Sequence, residues 1–95
     1  MQLMTNELAE KIPKLYTKNH GDKNSVVYAK LFLPNSWEWY ITEYDNEDLC
    51  FGLISGFDLK FGYFSLKELE GLQVNITRDE QFREATVSEV IKSIK

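Results

Sequence analysis

Cysteine occurs once in this chain, at Cys50, and histidine once, at His20. A lone cysteine excludes an internal disulfide and cannot by itself build a tetrahedral thiolate site, so the composition points to a reducing compartment, with the cytoplasm as the expected location. His20 lies in the polar run "TKNHGDKNS" and Cys50 among apolar neighbours. Neither is placed by the sequence beside a partner that would complete a nucleophile, base and orienting acid, so a solvated histidine and an inert thiol are expected. Glycines are few, and Gly52, Gly56 and Gly62 neither cluster nor precede a Lys-Ser/Thr pair, which excludes a phosphate-cradling loop.

Long apolar runs are missing as well. The opening "MQLMTNELAEKIPK" carries Glu7 and Glu10 and no continuous apolar core, so it reads as neither a signal peptide nor a membrane anchor, and no membrane partner is expected. Outside a secretory route, the sequon Asn75-Ile76-Thr77 is expected to stay unmodified.

The most informative absence is of positive charge. Between Leu31 and Leu59 there is no Lys or Arg, whereas Glu38, Glu43, Asp45, Glu47, Asp48 and Asp58 all fall there; the whole chain has a net charge of -4. Eleven of the thirteen aromatic residues lie between Tyr28 and Phe64, so the aromatic segment is also the acidic one. Nucleic-acid binding asks for rings beside cations, and this segment would repel a phosphate backbone. Direct nucleic-acid binding is therefore not expected. The acids also lack the glycine and the terminal glutamate of a calcium-binding loop, and no metal or other cofactor is expected.

What is present is a globular chain: 95 residues, 43% hydrophobic and 27% charged, enough for one domain over residues 1–95. Thr5 or Asn6 can cap a first helix in which Leu8 and Ile12 share a face, and Pro13 ends it. "VVYAKLFL" (Val26 to Leu33), Trp37 to Tyr44, Leu49 to Phe57 and Leu59 to Phe64 read as four strands joined by short turns, the pattern of an antiparallel meander. Ser65-x-x-Glu68 has the spacing of a capping box and opens a short helix for which Gly71 is the expected C-cap. "LQVNITRDE" suggests a short fifth strand. Thr86-x-x-Glu89 opens a last helix with Val87, Val90, Ile91 and Ile94 on one face. The fold class is α+β: an antiparallel sheet of four to five strands, an N-terminal helix, a short helix after the fourth strand and a C-terminal helix packed on the sheet.

Along Trp37 to Tyr44, strict alternation puts Trp37, Trp39 and Ile41 on one face and Glu38, Tyr40, Thr42 and Tyr44 on the other. The tryptophan face is expected to be core beneath the C-terminal helix. The tyrosine and acid face, continued by the turn Asp45-Asn46-Glu47-Asp48, is the expected contact surface, because Tyr adds area with few rotors and a hydrogen-bonding tip.

The segments "ELAEKIPKLY", "VVYAKLFLPNSWEWYITEYD", "GYFSLKELE", "ITRDEQF" and "TVSEV" together resemble an uncharacterised bacterial domain-of-unknown-function family of short proteins found largely on plasmids, conjugative elements and phages. Gly62-Tyr63-Phe64-Ser65-Leu66 with Glu68-Leu69, and Arg78-Asp79 with Phe82, carry most of the likeness. The compact "GLQVNI" and Lys14, which stands where members often have proline, depart from the pattern. The resemblance implies an accessory protein without assigned catalytic residues. The expected function is non-enzymatic binding of a host protein through Glu38, Tyr40, Tyr44, Asp45, Glu47 and Asp48, in its most concrete form inhibition of a CRISPR or restriction nuclease. A small-ligand or enzymatic pocket near Trp37, Trp39, Arg78 and Asp79 is the alternative, and an assembly subunit with an open sheet edge a third reading.

Overall fold

A computed structural model describes residues 3–16, 21–34, 36–72 and 74–94. Helix α1 (Asn6–Lys11) starts where the Thr5 hydroxyl accepts from Leu8 N–H, and the chain leaves helical geometry at Ile12, just ahead of Pro13. The predicted first strand is divided at Tyr28 into β1 (Val26–Val27) and β2 (Ala29–Phe32). β3 (Glu38–Tyr44), β4 (Leu49–Ser55) and β5 (Leu59–Ser65) follow, then α2 (Leu66–Gly71), β6 (Thr77–Arg78), β7 (Ala85–Thr86) and α3 (Val87–Ile94).

The main sheet is antiparallel, with strand order β5-β4-β3-β2-β6, so β2 to β5 form the meander and β6 returns to the far side of β2. The fifth strand is thus present but only two residues long, Thr77 and Arg78. β1 leaves this sheet to pair with β7, which brings the start of α3 against the middle of the molecule. Both later helices begin as their caps predict. Ser65 accepts from Glu68 N–H, and Thr86 and Glu89 satisfy each other's backbone donors at 2.9 and 3.2 Å. Gly71 differs from expectation: it is the last helical residue, and Leu72 takes the cap with an extended backbone (φ -70°).

Two apolar clusters flank the sheet. Leu3, Ile12, Leu66 and Leu69 pack with Leu31, Trp39, Ile41, Cys50 and Phe64 on one face. On the other, Val87 and Val90 of α3 cover Val27, Tyr40 and Leu53. The tryptophan face is therefore core, but beneath α1 and α2, while α3 covers the tyrosine face that alternation had left to solvent. β3 is buried on both sides, at every residue from Trp39 to Tyr44. Tyr40 can be buried because its hydroxyl finds a partner, donating to Glu38 Oε1 at 2.7 Å.

The alternation along β3 also breaks. Between Ile41 and Glu43 the register to β4 shifts, so that Ile41 faces Gly52 but Glu43 faces Phe51 and Tyr44 faces Cys50. This bulge inserts one residue and inverts the sides that follow it. Tyr44, expected beside Tyr40, joins the cluster under α1 and α2. Thr42 is buried too, its hydroxyl donating to the Phe51 carbonyl at 3.0 Å.

Candidate functional site

The turn between β3 and β4 is built around Asp45. Its carboxylate Oδ1 accepts from the backbone N–H groups of Glu47, Asp48 and Leu49 at 2.8, 2.8 and 3.0 Å. Asn46 takes the left-handed backbone (φ 66°) that asparagine tolerates better than most side chains. Asp48 reaches across to α2, accepting from the Ser65 hydroxyl and, at 2.7 Å, from Lys67 N–H. Ser65 and Asp48 together thus close the orphan donors at the start of α2. The motif around Ser65 that carries part of the family likeness is accounted for by this capping and by Phe64, Leu66 and Leu69 in the core.

Both turn carboxylates titrate below the ordinary aspartate range. For Asp45 the N–H of Asp48 is the largest cause; for Asp48 it is the Ser65 hydroxyl, followed by Lys67 N–H. A folded-state pKa below the unfolded one means stability that is present above the ordinary aspartate value and lost as pH falls through the depressed one. Acidification below about pH 4 is therefore expected to loosen the turn and the first turn of α2 before the sheet. Amide exchange at Glu47, Leu49 and Lys67 reads this directly; protonation of Asp45 and Asp48 at or above the usual aspartate pKa would contradict it.

Beside this turn the structure opens a cleft of about 220 Å³ between the β3–β4 turn, α2 and the N-terminal segment. Leu3, Met4, Tyr44 and Leu66 form its apolar part, and Glu47, Asp48, Glu70 and one cation, Lys67, its polar part. Tyr44 is only 7% exposed, and burial, then the charges of Cys50, Asp45 and Asp48, push its phenol up. Three of the sequence-predicted residues, Tyr44, Glu47 and Asp48, meet here, with Asp45 holding the turn beneath them. Leu3, Met4 and Glu70 complete the cleft; sequence reasoning missed them because only the fold brings α2 and the chain's start to this turn.

Glu38 and Tyr40 do not join this group. They lie toward the other end of β3, Glu38 about 20 Å of strand from Tyr44, and on the α3 side of the sheet. Glu38 Oε2 pairs with Lys30 Nζ at 3.3 Å, and that ammonium sits 5.7 and 5.8 Å from the ring centroids of Phe32 and Tyr40. The pair is part-exposed and closes a local network over Tyr40.

Glu43, one of the acids of the segment without Lys or Arg, also stands apart from the cleft. It is 3% exposed, and its carboxylate accepts from Tyr16 N–H at 2.9 Å, while Tyr44 N–H donates to the Pro13 carbonyl at 2.9 Å. These bonds lash the segment after α1 to the end of β3. Tyr63, packed against Tyr16 and Phe51, has its phenol pushed up to about 12 by its hydrogen bond with Tyr16, then by burial and the charges of Tyr16 and Glu43.

Arg78 and Asp79 line a separate cleft of about 330 Å³ with Thr5, Glu7, Lys11 and Tyr28. The tryptophans are not part of its lining: Trp39 lies two strands from Arg78 across Leu31, and Trp37 stacks on Trp39 at 6.0 Å. Asp79 serves its own turn, accepting from Gln81 N–H at 2.9 Å, while Phe82 packs on Tyr40. Cys50 is fully buried, and desolvation, then the charges of Asp45 and Asp48, pushes its thiol up to about 12, so it is an unreactive core residue. His20 lies outside the described residues. Among the described residues no three His, Cys, Asp or Glu side chains converge as a metal site requires. Nor is any of their helices long and apolar enough to cross a membrane.

No curated protein and no solved structure matches the chain. A family model does, from residue 2 to residue 93, and with nearly the whole chain aligned to it the protein belongs to the family described as Protein of unknown function (DUF2958).

Proposed function

We propose that this protein is a non-enzymatic binding module that engages a basic surface of a host protein through the cleft beside the β3–β4 turn. The observation that carries this reading is the pairing of an apolar floor, formed by Leu3, Met4, Tyr44 and Leu66, with the carboxylates of Glu47, Asp48 and Glu70. A partner Arg or Lys is built to match: its methylene stem packs on apolar surface and its head meets the carboxylates. The fixed turn supports this, since Asp45 holds the loop in one shape and binding pays little ordering entropy.

The mobile-element setting implied by the resemblance makes a nuclease the most concrete partner, because restriction and CRISPR enzymes carry basic nucleic-acid grooves. Occupying such a groove with an acidic domain would block cleavage, and salt would weaken the contact.

The test uses charge reversal at Glu47 and Glu70, both exposed. Asp48 is left alone because it caps α2. Immobilised wild-type chain is expected to retain a basic host protein that elutes as salt rises. The Glu47→Lys, Glu70→Lys chain should melt as the wild type does and bind that protein about tenfold more weakly or worse. Equal retention by the two chains would remove the cleft from the proposal, and an inhibition assay on any retained nuclease decides its concrete form.

A further inference from the structure

The two edges of the main sheet are unlike. β6, at one edge, is two residues long, which is one of the ways proteins keep an edge from pairing. β5, at the other, runs seven residues, contains no proline, keeps an unbroken register to β4 from Leu49↔Ser65 to Ser55↔Leu59, and carries a single charge, Lys60. Among the described residues Lys60 is the one feature of β5 that commonly blunts an edge, and Leu59 and Tyr63 are 36% and 43% exposed.

The direction of its backbone groups follows from the ladder. Gly56 N–H donates to Asp58 O at 3.0 Å and Leu66 N–H to Asp48 O at 3.1 Å, one bond beyond each end of the β4–β5 pairing. Alternation between those two bonds turns the N–H and C=O groups of Lys60, Gly62 and Phe64 toward β4 and those of Leu59 and Phe61 outward. Phe61 stands near the middle of the strand. Its ring lies on the α3 face, nearly parallel to that of Phe51 (centroids 5.8 Å apart, planes 5° apart).

We propose that β5 is the interface of a symmetric dimer, in which two copies of this chain pair edge to edge, antiparallel, about a two-fold axis at Phe61. Each Phe61 then exchanges both backbone hydrogen bonds with its mate, and the Phe51–Phe61 stack continues into the second copy across the axis. The strand is self-complementary in this register. Lys60, on the opposite face with Ile54, falls beside Gly62 of the second copy, where no side chain competes for its space, and not beside the other Lys60. The interface closes on itself, because the short β6 offers no second edge for growth. It lies at the low end of interface sizes, below about 1,200 Å², so the dimer is weak and its formation depends on concentration.

This inference does not depend on the acidic cleft, and salt separates the two. Each chain carries a net charge of -4, so screening strengthens the dimer, whereas it weakens binding of a basic partner. The test is sedimentation of the full chain over about two decades of concentration, alongside a chain joined at Leu49-Cys50 by ligation and carrying an N-methyl group on Phe61. That methyl removes one outward donor per copy, two per dimer, and leaves the ring and the β4–β5 ladder in place.

The wild-type mass is expected to rise from the 11.1 kDa of one chain to that of two. The methylated chain, with the same circular dichroism spectrum, should need about tenfold more protein to do so. A wild type that stays at one chain throughout, one that grows past two, or a methylated chain that associates equally well would each overturn the proposal.

Discussion

Replacing Gly52 by alanine is expected to unfold the protein. A Cβ at this position would lie 1.8 Å from the Tyr40 carbonyl oxygen, 2.9 Å from its carbon and 3.2 Å from the Ile41 Cα. All three are backbone atoms of β3, so no rotamer change can relieve the contact. The crowding comes from the bulge: where β3 inserts a residue after Ile41, its backbone swings over Gly52 on the neighbouring strand. β3 and β4 are both inner strands of the sheet, with β2 the third, and separating them disturbs both apolar clusters at once. A cost above about 4 kcal/mol is expected, against a total stability of roughly 5–14 kcal/mol for a domain of this size. Gly71→Ala is the control, since nothing lies within 4 Å of its added Cβ and its backbone is helical. That change should stabilise by about 0.5–1 kcal/mol. Thermal melts of the two variants against wild type decide it, and a Gly52→Ala protein melting within a few degrees of wild type would show that β3 gives way easily.

The same bulge marks the boundary of what could be read in the sequence. Thr5, Ser65 and Thr86 announced their helices because a cap is a local contract between a side chain and donors three residues on. Asp45 announced its turn for a like reason. The strands from Glu38 to Ser65 were legible as apolar runs between turn residues. The bulge left no such mark, since an inserted residue in "EWYITEY" looks like ordinary alternation, yet it decides which face Tyr44 and Glu43 occupy.

Coverage of both faces was hidden for another reason. Tyr and acid residues alternating with Trp suggest a solvated side, but Tyr40, its hydroxyl bound to Glu38 two residues away on the same strand, is buried by α3, a covering that forms only once α3 and β3 have met. The expected contact surface was accordingly divided. Its acidic turn became the rim of a cleft with α2 and the N-terminal segment, and its tyrosines became core on opposite faces.

Glu43 is where that division has its largest energetic consequence. Alanine there is expected to destabilise the protein by about 2–4 kcal/mol, because the carboxylate is buried and bound, and removing it leaves the N–H of Tyr16 without its acceptor. Tyr16 holds a left-handed backbone (φ 63°), a conformation costly for an aromatic residue and sustained only while its surroundings fix it. Losing the bond should release the segment from Pro13 to Tyr16 from the end of β3, and with it the packing of Tyr16 on Tyr63. For a chain of this length the melting temperature should fall by about 10–25 °C, and trypsin should cut faster after the exposed Lys14. Glu43→Gln, which keeps an acceptor of the same shape, should lose much less. An alanine variant that melts with the wild type and resists trypsin equally would mean that the segment is held by other contacts, and that Glu43 is buried for some purpose other than anchoring it.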